Sequence, residues 1–246
     1  MPSLTGNALK RAGFWLLLPV SAIQGLRLRT KAIRLPEASG KKAGVCGQGS
    51  PLHLLALGDS IIAGVGTGTI SKSMPVQFAL SLAKRQKCSV HWRVDGSNGA
   101  DISHLLKRVS RFDDQQKADV VLISIGVNDV TGLSSTRHWQ TGLETLVKEL
   151  RYKWPDARVI FAGLPPMSKF PLPPQPLRFS LGLRAQRLDE ITVDIVKNQP
   201  NMQHVATRID PAHHDFCEDG FHPSAAACSF WAEELALQLK SDTLAK

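Results

Sequence analysis

Two apolar runs stop abruptly at a glycine, and this pairing constrains the fold more than any other feature. Leu52–Leu57 ends at Gly58, and Ala118–Ile125 ends at Gly126. A short continuous apolar run is the pattern of a strand buried on both faces. Such strands belong to parallel sheets, whose crossover connections are usually helices. The segments between them have the required spacing. Met74–Lys87, Thr136–Lys153, Arg178–Asn198 and Pro223–Lys240 repeat their apolar residues as helices do, and a shorter helix is predicted behind Asp101 as its cap. Pro223 is expected in the first turn of the closing helix, where its missing N–H is harmless. Val90–Asp95, Ala157–Ala162 and Met202–Ile209 read as further strands. Alternation of this kind predicts an α/β fold with a parallel sheet covered on both faces.

The 246 residues suit one α/β domain, and the charge divides the chain unevenly. Residues 1–42 carry eight Lys/Arg and one acid, Glu37, whereas the rest carries 22 bases and 20 acids. The body is thus nearly neutral, which argues against nucleic-acid binding and leaves the basic character to an N-terminal arm. We divide the chain into an arm and linker, 1–50, and a domain, 51–246. Residues 36–51, rich in Pro, Gly, Ser and Lys, read as the linker.

Within the arm, residues 14–26 are apolar, follow Lys10-Arg11 and are interrupted by Pro19. The run is too short to span a membrane. Three readings stay open: an export signal with Val20-Ser21-Ala22 as cleavage site, an interfacial anchor with Arg27, Arg29, Lys31 and Arg34 on anionic lipid, or a helix docked on the domain. The corresponding locations are cytoplasmic, membrane-peripheral or exported. The four cysteines include no Cys-x-x-Cys, so no zinc site is expected. Reduced thiols are expected, with a Cys217–Cys228 bridge as the other option.

Ser60 follows the first glycine-stopped strand, and its turn is expected to lead into a helix. On that edge of an open α/β sheet, ligands bind. Taken alone, Gly58-Asp59-Ser60 reads equally as a helix cap, and Gly64, Gly66 and Gly68 as a phosphate loop. Three further loops decide between these. Gly96-Ser97-Asn98-Gly99 and Gly126-Val127-Asn128-Asp129 each follow a strand, and Asp219-Gly220-Phe221-His222-Pro223 precedes the last helix. If they converge, they bring together a hydroxyl, two donors and a histidine with a nearby acid, the parts for acyl transfer. His213 and His214, beside Asp210 and Asp215, read as a polar loop and not as metal ligands. Gly163–Leu177 carries six prolines and is expected to be a stiff loop, either walling an acyl site or merely covering the sheet.

Four blocks in this order resemble the SGNH, or GDSL, hydrolases across residues 52–240. Gly-Asp-Ser matches at Ser60, Gly-x-Asn-Asp at Gly126–Asp129 and Asp-x-x-His-Pro at Asp219–Pro223; Ile61 stands where the family name has leucine. The glycine block falls at Gly99, with Gly96 as fallback. The resemblance implies a flavodoxin-like three-layer α/β/α fold with a mostly parallel sheet. It implies a serine hydrolase that cleaves carboxylic esters through an acyl-enzyme. Ser60 would be the nucleophile, His222 the base and Asp219 its partner, with Asp215 in reserve. The oxyanion would be held by the N–H groups of Ser60 and Gly99 and by the Asn128 amide. No metal or cofactor is implied. The expected partner is a small-molecule or lipid ester, with peripheral membrane contact through the arm, no nucleic acid, and a monomeric state. An acyltransferase using the same site, or a membrane-peripheral binding module on an inactive hydrolase fold, are the other functions this pattern accommodates.

Overall fold

The computed structural model describes residues 19–21, 23–28, 33–113, 116–207 and 215–239. Helical backbone over residues 19–21 and 23–28 forms α1. Next come β1 (Ala43–Gly47), β2 (Pro51–Gly58), α2 (Met74–Gln86), β3 (Ser89–Gly96) and α3 (Ile102–Val109). Then follow β4 (Val120–Ser124), α4 (Val127–Thr131), α5 (Thr136–Lys153) and β5 (Arg158–Ala162). The described chain closes with α6 (Leu177–Val196), β6 (Met202–Val205) and α7 (Ala225–Leu237). Among the described residues the sheet has six strands, in the order β1-β3-β2-β4-β5-β6. Only β1 runs antiparallel, against β3; every other neighbouring pair is parallel.

The central strands alternate their side chains between two cores. Leu55 and Leu57 of β2, with Val121 and Ile123 of β4, pack under α3, α5 and α6, where Ile102, Trp139, Leu146 and Leu188 are buried. Leu54, Ala56, Val120 and Leu122 face the opposite layer, where Phe78 and Leu82 of α2 meet Trp231 and Leu235 of α7. Both faces of β2 and β4 are covered, so their sequences read as unbroken apolar runs. The expected three-layer architecture is present.

Four local expectations are corrected. Residues 36–51 are not a free linker, because Ala43–Gly47 pairs along β3 as an edge strand. Residues 60–66 wind as turns, so no helix begins at Ser60; a 3-10 turn at Ile70–Lys72 precedes α2. The closing helix is capped by Ser224, whose side chain accepts from the Ala227 N–H, so Pro223 lies before the cap. The last strand ends at Val205, and residues 208 and 209 lie outside the described residues. Among the described residues no helix is long and apolar enough to cross a membrane.

Candidate active site

The register of three strands sets the site. Gly58 at the end of β2 lies opposite Gly96 of β3 on one side and Ser124 of β4 on the other. The loops carrying Ser60, Gly99 and Asn128 therefore leave the sheet at one level. The strand order reverses direction around β2, and beside that switch an open α/β sheet leaves a crevice.

The first loop is tightly wound. The Asp59 N–H donates to the Ser124 carbonyl at 3.1 Å, and the Asp59 carbonyl accepts from the Ala63 N–H at 3.0 Å. Asp59 Oδ1 accepts from the Ile61 N–H at 3.0 Å, while Oδ2 is buried without a partner among the described residues. Burial pushes the Asp59 carboxyl up to about 7; the Ile61 N–H and the nearby His222 pull it down, and Asp129 pushes it up. Asp59 thus braces the turn, as a residue at full burial must. The phosphate-loop reading of its glycines does not hold. The Gly66 N–H already donates to the Pro36 carbonyl, and the Gly64 N–H to that of Ile61.

Ser60 is 6% exposed and lines a small cavity together with His222, Pro165, Phe170 and Phe221. His222 Nδ1 lies 2.6 Å from Asp219 Oδ2. Asp219 Oδ1 accepts from the N–H groups of Phe221, at 2.9 Å, and His222, at 3.0 Å. Burial alone would raise the Asp219 carboxyl, but the His222 ring and these two N–H groups outweigh it and hold it below the usual range. Asp219 is thus an acid in direct contact with the His222 ring. Among the described residues no hydrogen bond joins Ser60 to His222; what brings them together is the shared cavity. Such contacts often tighten only when substrate is bound.

The two glycines of the next loop do different work. A Cβ on Gly96 would lie 2.3 Å from the Ala63 nitrogen and 2.9 Å from the Asp59 carbonyl oxygen, so Gly96 allows the turn carrying Ser60 to press on β3. Gly99 has φ +80° and open space where a Cβ would stand. Its left-handed backbone suits glycine. Among the described residues no acceptor takes the N–H of Ser60 or Gly99. The Asn128 side-chain amide donates to the Ala100 carbonyl at 2.8 Å, which ties the loop after β4 to the residue next to Gly99. One N–H of that amide is engaged, and a second is left.

Two acids to which the sequence assigned no role hold these loops. Glu37 Oε1 accepts from the Asn98 N–H at 2.8 Å, immediately before Gly99, and Lys42 pairs with its other oxygen at 3.2 Å. Glu37 being the one acid of a basic arm was the only hint. Asp129 accepts from the Ile102 N–H at 3.0 Å and from Ser134 Oγ at 2.9 Å, so it joins the start of α3 to the turn between α4 and α5. Burial pushes its carboxyl up against those bonds. The proline-rich loop lines the site: Pro165 and Phe170 border the Ser60 cavity, and Leu172 and Pro173 border a second one beside His222. All four cysteines are free. Among the described residues no group of His, Cys, Asp or Glu could hold a metal ion, and His213 and His214 lie outside them.

A family model described as the GDSL-like lipase/acylhydrolase family matches residues 56–228. The chain belongs to the GDSL-like lipase/acylhydrolase family. It is a carboxylic ester hydrolase. The matched span contains Ser60, Gly99, Asn128, Asp219 and His222. Solved structures share the fold of this GDSL hydrolase. A lipase from a goat rumen metagenome superposes with a TM-score of 0.59 at 21% identity, covering 76% of this chain and 96% of its own. A family two carbohydrate esterase from Clostridium thermocellum gives 0.60 at 20% identity, over 80% of this chain and 66% of its own. A psychrotrophic esterase from a Pseudoalteromonas species gives 0.58 at 17% identity, over 74% of this chain and 93% of its own. None of the curated proteins matches the sequence.

Proposed function

We propose that this GDSL hydrolase cleaves its ester through an acyl-enzyme on Ser60. The observation that carries the proposal is the 2.6 Å contact between His222 Nδ1 and Asp219 Oδ2, in a ring that borders the cavity of Ser60. Asp219, ionised and holding Nδ1–H, fixes the tautomer in which Nε2 accepts a proton. Ser60 Oγ attacks the ester carbonyl as its proton passes to Nε2. The tetrahedral oxyanion then collapses, and the leaving alcohol takes that proton from Nε2. Water repeats the sequence on the acyl-enzyme and regenerates Ser60. The Ser60 and Gly99 N–H groups and the second N–H of Asn128 are the donors for the oxyanion.

The test is covalent. A p-nitrophenyl phosphonate should label the protein once, on Ser60, and Ser60→Ala and His222→Ala should each abolish ester turnover while the circular dichroism is unchanged. A label on another residue, or an active Ser60→Ala protein, would overturn the assignment.

The arm supports a second element of the reading, contact with an anionic membrane surface. Val20, Ile23 and Leu26 lie along one flank of α1 and are 48%, 54% and 65% exposed. The sequence of residues 1–42 carries eight bases and one acid. Apolar contact plus basic charge is the recipe for interfacial binding. The full chain should sediment with phosphatidylglycerol vesicles and not with phosphatidylcholine ones. Equal retention by both, or by neither, would count against it.

A further inference from the structure

The two cavities at the site differ in size by an order of magnitude. The one bordered by Ser60 holds about 10 Å³. That is the room of roughly one water molecule. It can take a carbonyl group but no chain. His222 and Phe221 also border a groove of about 210 Å³. Its walls are Leu172 from the proline-rich loop, Leu177 and Leu181 of α6, Phe221 beside the histidine, and Leu28 and Ile33 from the N-terminal arm. The polar side chains in its lining are those of Thr131, Asp219 and His222. A larger cavity elsewhere is walled by Arg93, Asp95, Arg108 and Arg111 and shares no residue with the site.

The arm is held in place by specific bonds. Gln24 Nε2 donates to the Gln175 carbonyl at 2.8 Å, and Gln24 Oε1 accepts from the Leu177 N–H at 3.1 Å. The cap residue of α6, Pro176, has no side-chain acceptor; the Arg178 and Phe179 N–H groups go to the Pro174 carbonyl and Gln175 Oε1, and Gln24 takes that of Leu177. Ser21, 4% exposed, lies with its hydroxyl 3.3 Å from that of Ser180. These contacts bridge the arm to the start of α6, at the rim of the groove.

We propose that this groove holds an aliphatic chain of the ester, and that α1 is part of the substrate site. The proposal rests on the reading of Ser60 and His222 as the reacting pair and adds the substrate class: esters with a medium-length alkyl or acyl chain. Apolar cavities of about 150 Å³ take up benzene, so this groove accommodates roughly eight carbons. Each methylene moved from water into it should raise kcat/KM about two- to fourfold, until the groove is full.

The experiment uses the full chain. p-Nitrophenyl esters from acetate to dodecanoate lengthen the acyl side, and n-alkyl acetates lengthen the alcohol side. One series should climb to a maximum near eight carbons, and the one that climbs identifies which end of the ester occupies the groove. Leu28→Trp fills the groove from α1, and Ile33→Trp does so from a position 54% exposed, where folding is safe. Each should lower the ratio of octanoyl (or octyl) to acetyl turnover at least tenfold. Calorimetry of decanoate binding to the Ser60→Ala protein reads the groove without turnover. Binding should be present and should weaken at least tenfold in the Leu28→Trp background. Flat profiles in both series with acetate still cleaved, or decanoate binding indifferent to both tryptophans, would overturn the proposal. Chain binding that persists while no ester is cleaved would instead sink the catalytic reading and leave the groove as a chain site.

Discussion

The side-chain amide of Asn128 donates to the carbonyl oxygen of Ala100 across the rim of the sheet, at 2.8 Å. The loop after β4 thereby holds the loop after β3. On the proposed mechanism, a change at Asn128 would remove an oxyanion donor and release the backbone beside a second one. Asn128→Ala should lower kcat by about 10²- to 10³-fold with KM little altered, because the loss is felt in the transition state. Steady-state kinetics on a short acyl ester checks this. An unchanged kcat would remove Asn128 from the site.

Asp219 holds His222 through Nδ1 and is itself held by two backbone N–H groups. Asp219→Asn should keep the loop but present the wrong hydrogen to the ring. We expect kcat to fall by about 10³- to 10⁴-fold, measured against the same ester, with thermal unfolding close to the parent.

Asp59 makes a pH prediction with a definite sign. Its folded value of about 7 lies above the ordinary 3.8, so the folded state holds a proton that the unfolded chain has released. The unfolded state therefore binds fewer protons between those values, and stability falls as pH rises from about 4 to about 7. Asparagine imitates the protonated acid. Asp59→Asn should gain stability relative to the parent as pH rises, by up to roughly 4 kcal/mol between pH 4 and pH 8. Urea unfolding at the two pH values measures the difference, and a pH-independent gap would refute it.

Glu37 reaches 61 positions along the chain to the Asn98 N–H. Burial raises its carboxyl, but that N–H and Lys42 prevail and the net shift is downward. Glu37→Ala should cost about 1 kcal/mol of stability, since the group is partly exposed, and should lower kcat more than it raises KM. Glu37→Gln keeps an acceptor for Asn98 and should recover most of kcat. Equal effects from both substitutions would mean that the charge, and not the hydrogen bond, matters.

The apolar runs of β2 and β4 were legible because both of their faces are buried. The Asp219–His222 pair was legible because its partners are three residues apart, close enough for one loop to hold them. Edge strand β1 was not. Its sequence Ala-Gly-Val-Cys-Gly has no apolar run, and what makes it a strand is the free edge of β3. Gly96 and Gly99 look alike on the page, yet one is packed against the Asp59 turn and the other faces open space.

The amino-acid order by itself determined the layers, the parallel strands and the four blocks of the family, because each is written in short-range spacing that burial and turn geometry impose. Only the folded chain decided that Glu37 steadies the glycine loop, that Gln24 caps α6 and that the arm walls a groove beside His222. Those contacts join residues 61 to 153 positions apart. No local pattern encodes such a meeting, which depends on how the whole sheet and its helices close around it.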